Sequence, residues 1–261
     1  MLIAITRPVS DSIAACELTH VAREPIDLAR ARAQHAAYER ALDAAGCEVV
    51  RVPPSHDLPD AVFVEDAAVV VGEVAIAMRP GAASRRPEVP GVAGVLRRYR
   101  DVVPIEPPAT IDGGDVLVAG KRVFVGQTSR TSSAAIVKMR EILGPMGYTV
   151  DGVDVTGCLH LKSAVTALAD DRLLINRAWI GGEGADVTFR GFDLVDIDPG
   201  EPYAANIVRA GGALIYPSAF PRTRARLKRL GLDVMAVDVG ELAKAEGAVT
   251  CCSLIFEAQV V

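Results

Sequence analysis

The chain has 261 residues, half of them hydrophobic, and a formal net charge of -5 from 28 Lys and Arg against 33 Asp and Glu. This length and apolar content are enough for a well-packed core and exclude wholesale disorder. The length allows one large domain or two small ones, and we expect a single domain over residues 1–261. The mild acidity argues against a nucleic-acid binder, which usually carries a basic stripe.

The N-terminus "MLIAITRPVS" reads as a first strand rather than a targeting segment, because it lacks a basic leader and a small-residue cleavage site. No segment approaches the roughly 20 apolar residues of a membrane span. We therefore expect a cytoplasmic protein without a membrane partner. Its five cysteines are too few for a disulfide scaffold, and we expect them to be reduced. They are Cys16, Cys47, Cys158, Cys251 and Cys252.

Apolar residues recur at helical spacing in several segments that lie between strand-like runs. Pro87 and Pro90 restrict one of these helices to the later part of its segment. Two basic clusters, "LRRYR" (96–100) and "RTRARLKR" (222–229), are interpreted as solvated helix faces rather than phosphate sites. The predicted helices span residues 26–45, 84–100, 132–147 and 221–231.

Five segments share one plan, in which polar residues precede a β-rich run, a tight turn and usually a second run. The last segment has no return strand of its own, and "MLIAIT" at the N-terminus could supply it. The second residues of the segments lie 43 to 49 residues apart, which suggests a radially repeated α/β architecture. Ordinary hairpins in an α+β domain are the alternative. The segments begin at Glu65, Gly114, Lys162, Ala205 and Cys252.

Rotation about one axis would bring the residues that lead each first strand together. A cysteine becomes a useful nucleophile as thiolate, and a histidine can exchange protons near neutral pH. Taken alone, each could equally be an inert core residue. Paired metal-ligand spacings are missing from the sequence, so we expect no zinc site. The leading residues are Glu65 and Asp66, Asp112 and Asp115, His160, Asn206, and Cys251 and Cys252.

Several of the acidic residues indicate the charge of a ligand. Asp60 and Asp66 lie six residues apart, and Asp112 precedes two glycines that allow a sharp turn. Unpaired carboxylates around one cavity would repel one another, so they favour a cationic ligand such as a planar guanidinium. Arg85 and Arg130 follow the second strands and could hold an anionic group. Together these features predict a ligand that resembles arginine.

The motifs "LPDAVFVEDAAVV", "RPGAASRR", "IDGGDVL", "VGQTSRT", "LHLKS" and "TCCSL" occur in this order. Together they resemble the dimethylarginine dimethylaminohydrolases, a family within the guanidine-modifying (pentein) superfamily. The resemblance runs from about residue 7 to residue 255. It implies a five-bladed α/β propeller with the active site on its axis.

The resemblance also implies roles for individual residues. Cys251 would be the nucleophile, with Cys252 turned into the packing, and His160 would be the general acid and base, supported by Asp112. The other matching positions would contact substrate, through the guanidinium, the carboxylate or the backbone. They are Asp60, Glu65 and Asp66 for the guanidinium, Arg85 and Arg130 for the carboxylate, and Leu18 and Ala245 for backbone contacts.

The implied activity is hydrolysis of methylated arginine to citrulline through a covalent thiouronium, without cofactor or metal. One alternative is an arginine deiminase-like hydrolase that acts on unmethylated arginine or another guanidine. Another is a non-catalytic interaction protein on the same propeller, although such a scaffold needs no cysteine, histidine and acid together. The sequence leaves the oligomeric state open, a homo-oligomer included.

Overall fold

A computed structural model describes residues 1–258 of the chain. The last three residues of the fifth predicted strand segment, 259–261, lie outside the described part. Within residues 1–258, fifteen strands form five three-stranded sheets. The strands are β1 Leu2–Thr6, β2 Cys47–Arg51, β3 Ala68–Val71, β4 Val74–Ala77, β5 Asp101–Pro104, β6 Val116–Ala119, β7 Arg122–Gln127, β8 Thr149–Asp154, β9 Val165–Ala169, β10 Arg172–Ile175, β11 Asp193–Asp196, β12 Val208–Ala210, β13 Ala213–Pro217, β14 Val234–Val237 and β15 Leu254–Glu257.

All five sheets share one topology. An inner strand pairs antiparallel with a middle strand, and the middle strand pairs parallel with an outer strand. In four of the sheets a tight turn joins the inner strand to the middle strand. Three of the turns begin with a glycine at positive φ, namely Gly72 (56°), Gly120 (56°) and Gly211 (59°). Two-residue hairpin turns need this left-handed conformation, which glycine adopts without steric cost.

The remaining sheet joins the two ends of the chain. Its inner strand β15 pairs antiparallel with β1, with Leu2 opposite Glu257 and Ile5 opposite Leu254. Strand β1 then pairs parallel with β2. The N-terminal run therefore supplies the missing return strand, as predicted.

Five of the helices connect a middle strand to an outer strand, whereas Leu161–Ala164 and Gly240–Ala243 lie between an outer strand and the next inner strand within residues 1–258. In the first helix of the chain, the Asp27 side chain accepts a hydrogen bond from Arg30 N, which satisfies a free amide at the helix start. The segment 84–100 begins as a 3₁₀ turn, Ala83–Glu88, and becomes α-helical only beyond it, as its prolines predict. The helices are α1 Leu28–Ala44, α2 Val89–Leu96, α3 Ser133–Leu143, α4 Leu161–Ala164, α5 Ala185–Thr188, α6 Pro221–Arg229 and α7 Gly240–Ala243.

The inner strands of the five sheets surround a common axis. A cavity of about 220 Å³ runs along it and is lined by residues of β3, β6, β9, β12 and β15. Apolar cores fill the space between neighbouring sheets and helices. The fold is thus a five-bladed α/β propeller, as predicted. Within residues 1–258 we find no helix with the length and apolar character needed to span a bilayer.

Candidate active site

Short helical turns precede four of the inner strands and contact one another near the axis. Each turn carries residues that the sequence singled out, so the repeat brings distant segments together without any local sequence motif. The turns are Val64–Ala67, Gly113–Asp115, Leu161–Ala164 and Thr250–Cys252.

His160, directly before α4, lies buried between two carboxylates. Its Nε2 is 3.1 Å from Asp112 Oδ2, and its Nδ1 is 3.8 Å from Asp66 Oδ1. Asp112 is 0% exposed and also accepts a hydrogen bond from the backbone N–H of Gly81. These contacts fix the imidazole and surround it with negative charge.

Gly114, the second of the two glycines that follow Asp112, packs directly against His160 and Asp66. Its backbone N–H donates to Asp66 Oδ1 over 2.9 Å. A Cβ at this position would lie 2.6 Å from His160 Nδ1 and 2.8 Å from Asp66 Oδ1, closer than real Cβ contacts allow. The sequence predicted room for a ligand here. The structure instead shows close packing of the backbone against the buried histidine and carboxylate.

Arg85 is only 4% exposed and forms ion pairs with two buried carboxylates. Its Nη1 lies 2.5 Å from Asp66 Oδ2, and its Nη2 lies 2.9 Å from Glu88 Oε2. Nε also bonds Glu88, and Nη2 donates to the carbonyl oxygens of Asp60 and Phe63. All three guanidinium nitrogens therefore bind protein groups. The sequence predicted a role for Arg85 at a substrate carboxylate and did not predict these internal contacts.

Glu65 lines the axial cavity and belongs to a polar network of its own. Its Oε1 is 2.6 Å from Lys162 Nζ, and its Oε2 accepts from the Thr250 hydroxyl over 2.8 Å. Asn206 in turn binds both the hydroxyl and the backbone N–H of Thr250. The network orients Glu65 next to the residue that precedes Cys251.

The two adjacent cysteines occupy different environments. Cys251 is partly exposed, and its Sγ accepts a hydrogen bond from the backbone N–H of Ala248 over 3.4 Å. Cys252 is 0% exposed and belongs to an apolar core cluster. Of the two sulfurs, that of Cys251 is therefore the one that can meet a ligand.

Cys251 shares a cavity of about 20 Å³ with most of the predicted site residues. Leu18, Glu65 and Asp112 do not line this cavity, and Leu18 packs against apolar core instead. The volume has room for about one water molecule, so entry of an amino acid requires a wall to move. The predicted residues that do line the cavity are Asp60, Asp66, Arg85, Arg130, His160, Ala245 and Cys251.

Two of these lining residues are fixed by the segment that contains Leu18. Asp60 Oδ2 accepts a hydrogen bond from the backbone N–H of Glu17 over 3.1 Å. Arg130 Nη2 donates to the hydroxyl of Thr19 over 3.1 Å, while Nη1 lies 3.8 Å from Asp112 Oδ2. The arginine side chain is 11% exposed, so Arg130 is more open to a ligand than Arg85.

Charge and burial set the protonation of the site. Burial disfavours the charged form of His160, but Asp66 and then Asp112 outweigh it and raise the pKa of the imidazole to about 9. Burial likewise opposes ionisation of Asp66, but His160 and Arg85 lower its pKa to about 2. Burial, followed by the charges of Glu65 and Asp66, raises the pKa of the Cys251 thiol above its ordinary value. At neutral pH the site therefore holds an imidazolium and a neutral thiol.

Asp66, Asp112 and His160 could together bind a metal ion, since their ligand atoms lie within 4.8 Å of one another. A histidine must be neutral to coordinate metal, and the raised pKa of His160 opposes this. Arg85 also competes for Asp66. The three side chains therefore suit a protonated His160 better than a bound metal ion.

The raised pKa of His160 should make fold stability depend on pH. Its ordinary value of 6.5 rises to about 9 in the folded protein, so the folded state holds this proton more tightly. The stabilisation is fully present below pH 6.5 and is lost as the pH rises through about 9. We expect the free energy of unfolding to fall by up to about 3 kcal/mol across this range, since one pKa unit corresponds to about 1.4 kcal/mol.

Urea denaturation at a series of pH values measures this loss. His160→Gln should remove most of the slope, whereas the same change at His56, which is exposed, should leave it in place. A slope that His160→Gln does not change would show that His160 is not protonated in the folded protein at neutral pH.

Several residues of the site were not predicted from the sequence. Glu88 and Lys162 are charge partners of Arg85 and Glu65. Thr131 donates to the buried Asp115, which also accepts from Leu161 N and so fixes the turn beside His160. The sequence offered one indication for two of these residues, namely their place in the chain. Thr250 directly precedes Cys251, and Lys162 lies two residues after His160. Glu17, Phe63, Leu159, Glu246 and Gly247 also line the cavity.

Comparisons by sequence and by structure identify proteins that are similar to this chain. No protein-family model matches the chain. An N(G),N(G)-dimethylarginine dimethylaminohydrolase from Streptomyces coelicolor is 41% identical over 96% of this chain and 95% of its own length. A structure of the enzyme from Pseudomonas aeruginosa, a mutant complexed with citrulline, is 34% identical with a TM-score of 0.89, covering 97% of this chain and 98% of the other.

A more distant neighbour shares the fold alone. The N-terminal domain of the cyanobacterial arginine dihydrolase ArgZ is 18% identical, with a TM-score of 0.88 over 97% of both chains. Sequence identity, coverage and fold all agree with the motifs around Cys251 and His160. The chain belongs to the dimethylarginine dimethylaminohydrolase family.

Proposed function

We propose that this protein hydrolyses Nω-methylated arginine to citrulline and dimethylamine or methylamine, with Cys251 as nucleophile. The observation that carries the proposal is the cavity shared by Cys251, His160 and Asp66, because it joins a thiol, an imidazolium and an unprotonated carboxylate. Its substrate is a small guanidino amino acid, and the chemistry requires no cofactor, metal or nucleic acid. The whole chain, residues 1–261, forms one catalytic domain.

The first step uses the charge of the substrate. Asp66, which lines the cavity, accepts the guanidinium. Burial and then the charges of Glu65 and Asp66 raise the pKa of the Cys251 thiol, and the positive charge of the substrate offsets the contribution of the two carboxylates. The Cys251 thiol releases its proton to solvent, and the resulting thiolate attacks the central guanidinium carbon, which forms the C–S bond. Asp60, whose Oδ2 is fixed by Glu17 N, lines the same cavity and also faces the guanidinium. Arg130 binds the carboxylate.

His160 moves the protons of both half-reactions. As imidazolium it donates its proton to the departing amine as the C–N bond breaks, which leaves a thiouronium on Cys251. The neutral imidazole then takes a proton from a water that attacks the same carbon. The C–S bond breaks as the carbonyl forms, the hydroxyl proton of the adduct passes to the sulfur, and citrulline leaves Cys251 as a free thiol. Asp112 positions the imidazole from 3.1 Å throughout.

The direct test is an assay for citrulline with purified protein and asymmetric dimethylarginine. We expect citrulline and dimethylamine in equal amounts, with a much slower reaction on unmethylated arginine. Reaction with arginine but not with dimethylarginine would favour the arginine-hydrolysing alternative, which the fold also hosts in ArgZ. Inactivity on every guanidine would favour an interaction protein on the same propeller.

A cytoplasmic location stays a prediction, and a homo-oligomer is equally open. Fractionation of the cells that produce the protein tests the location. Light scattering of the purified protein tests the oligomeric state.

A further inference from the structure

Glu246 joins two segments that are far apart in the chain and that meet beside the catalytic cavity. Its carboxylate accepts hydrogen bonds from three consecutive backbone N–H groups, those of Thr19, His20 and Val21, over 2.6, 2.5 and 3.1 Å. Successive amides that point at one anion form a binding concavity for negative charge. Bonds to an ionised acceptor are also stronger than neutral ones. The carboxylate therefore holds the exposed loop that carries these amides.

The backbone at Glu246 is also unusual. Its φ of 57° makes it the only non-glycine residue with positive φ within residues 1–258. This conformation costs a residue with a Cβ energy and persists only where surrounding contacts impose it. Glycine would adopt it freely, so the glutamate contributes something that glycine lacks. The carboxylate is that feature.

The connected segments form part of the cavity wall. Glu17, from the loop segment, and Ala245, Glu246 and Gly247 all line the cavity that contains Cys251. Thr19, whose amide is bound by Glu246, also accepts a hydrogen bond from Arg130 through its hydroxyl. Because the cavity holds only about 20 Å³, the wall must open for an amino acid to enter and close to restore these contacts.

We propose that Glu246 is a positioning residue that holds the loop of residues 17–21 closed over the catalytic cavity and keeps Thr19 against Arg130. The inference rests on the proposed function for its kinetic consequence only. Glu246 takes no part in bond making. It acts through the loop, by raising the fraction of molecules whose substrate-binding wall is in place.

Hydrogen exchange of the substrate-free protein tests the contact without reference to activity. In Glu246→Gly, exchange of the amides of residues 19–21 should accelerate at least about tenfold, because their shared acceptor is gone. Glu246→Gln retains one acceptor oxygen and should give a smaller increase. The glycine variant relieves the backbone strain, so exchange in strand β7 should not change and global unfolding is excluded as the cause.

Glu201 provides a matched control. Its carboxylate accepts from the consecutive backbone N–H groups of Arg222 and Thr223, and it does not line the catalytic cavity. Glu201→Gln should accelerate exchange around residues 222–223 and leave residues 19–21 as they are.

Steady-state kinetics supply the second readout. In Glu246→Gly the KM for dimethylarginine should rise at least about fivefold with a smaller change in kcat, since apparent affinity falls with the closed fraction. Unchanged exchange of residues 19–21 in both variants would overturn the inference, as would a KM within about twofold of the native value. An enzyme inactive on dimethylarginine but with faster exchange in the variants would refute the proposed function and leave the loop contact standing.

Discussion

Cys251→Ser is expected to lower kcat/KM for dimethylarginine by at least about four orders of magnitude, as removal of a nucleophile does in other covalent enzymes. A hydroxyl of similar size occupies the same place, but the substrate charge that offsets Glu65 and Asp66 is not enough to ionise it. Binding of citrulline should survive, because the charged cavity wall is unchanged. The measurement is steady-state citrulline production with a calorimetric titration of citrulline beside it.

Cys252→Ser is the matched control, since it changes the same atom one residue away. The sulfur of Cys252 lies in apolar core and contacts the carbonyl oxygen of Ala248, so the substitution should cost some stability. Its kcat/KM should stay within about tenfold of the native value. Loss of turnover in Cys252→Ser with retention in Cys251→Ser would show that Cys252, and not Cys251, is the nucleophile.

The sequence allowed prediction of the propeller because each repeat carries its own local signals. Alternating apolar runs and turn glycines such as Gly72 and Gly120 specify a hairpin wherever they occur, independently of distant residues. The regular spacing of these hairpins then indicated rotation about an axis. The convergence of Asp66, His160 and Cys251 followed from that geometry.

The electrostatic partners inside the site could not be predicted in the same way. Glu88 lies three residues after Arg85 and resembles an ordinary surface pair until burial of both side chains is known. Lys162 reads equally well as a solvated residue of a short turn. Which charges are buried together depends on packing between blades, and periodicity within one blade does not encode it.

Arg85 illustrates the consequence of that missing information. The sequence suggested that Arg85 and Arg130 share the work at a substrate carboxylate. In the structure, Arg85 is the buried counter-charge of Asp66 and Glu88, while Arg130 is the more accessible of the two. Burial opposes ionisation of Asp66, and Arg85, together with His160, offsets this by lowering the pKa of that carboxyl. We therefore expect substitution of Arg85 to affect both folding and the guanidinium pocket.

Arg85→Met should destabilise the protein by about 3–5 kcal/mol, the usual result of leaving buried charges without a partner. Arg130→Gln should cost less than about 2 kcal/mol, because its ion pair is long and its hydrogen bond is made to an exposed loop. Chemical denaturation of the two variants gives the comparison. The double variant Arg85→Met with Glu88→Gln should recover part of the loss, since one fewer charge is left unpaired.

Ligand binding also distinguishes the role of Arg85 from that of Arg130. Arg130→Gln should raise the KM for dimethylarginine at least about tenfold while the inhibition constant of agmatine, which lacks a carboxylate, changes little. Arg85→Met should weaken both ligands, because the loss of its charge disturbs Asp66 and with it the guanidinium pocket. If Arg85→Met instead kept native stability and weakened dimethylarginine alone, Arg85 would bind the substrate carboxylate, and its ion pairs with Asp66 and Glu88 would contribute little to the fold.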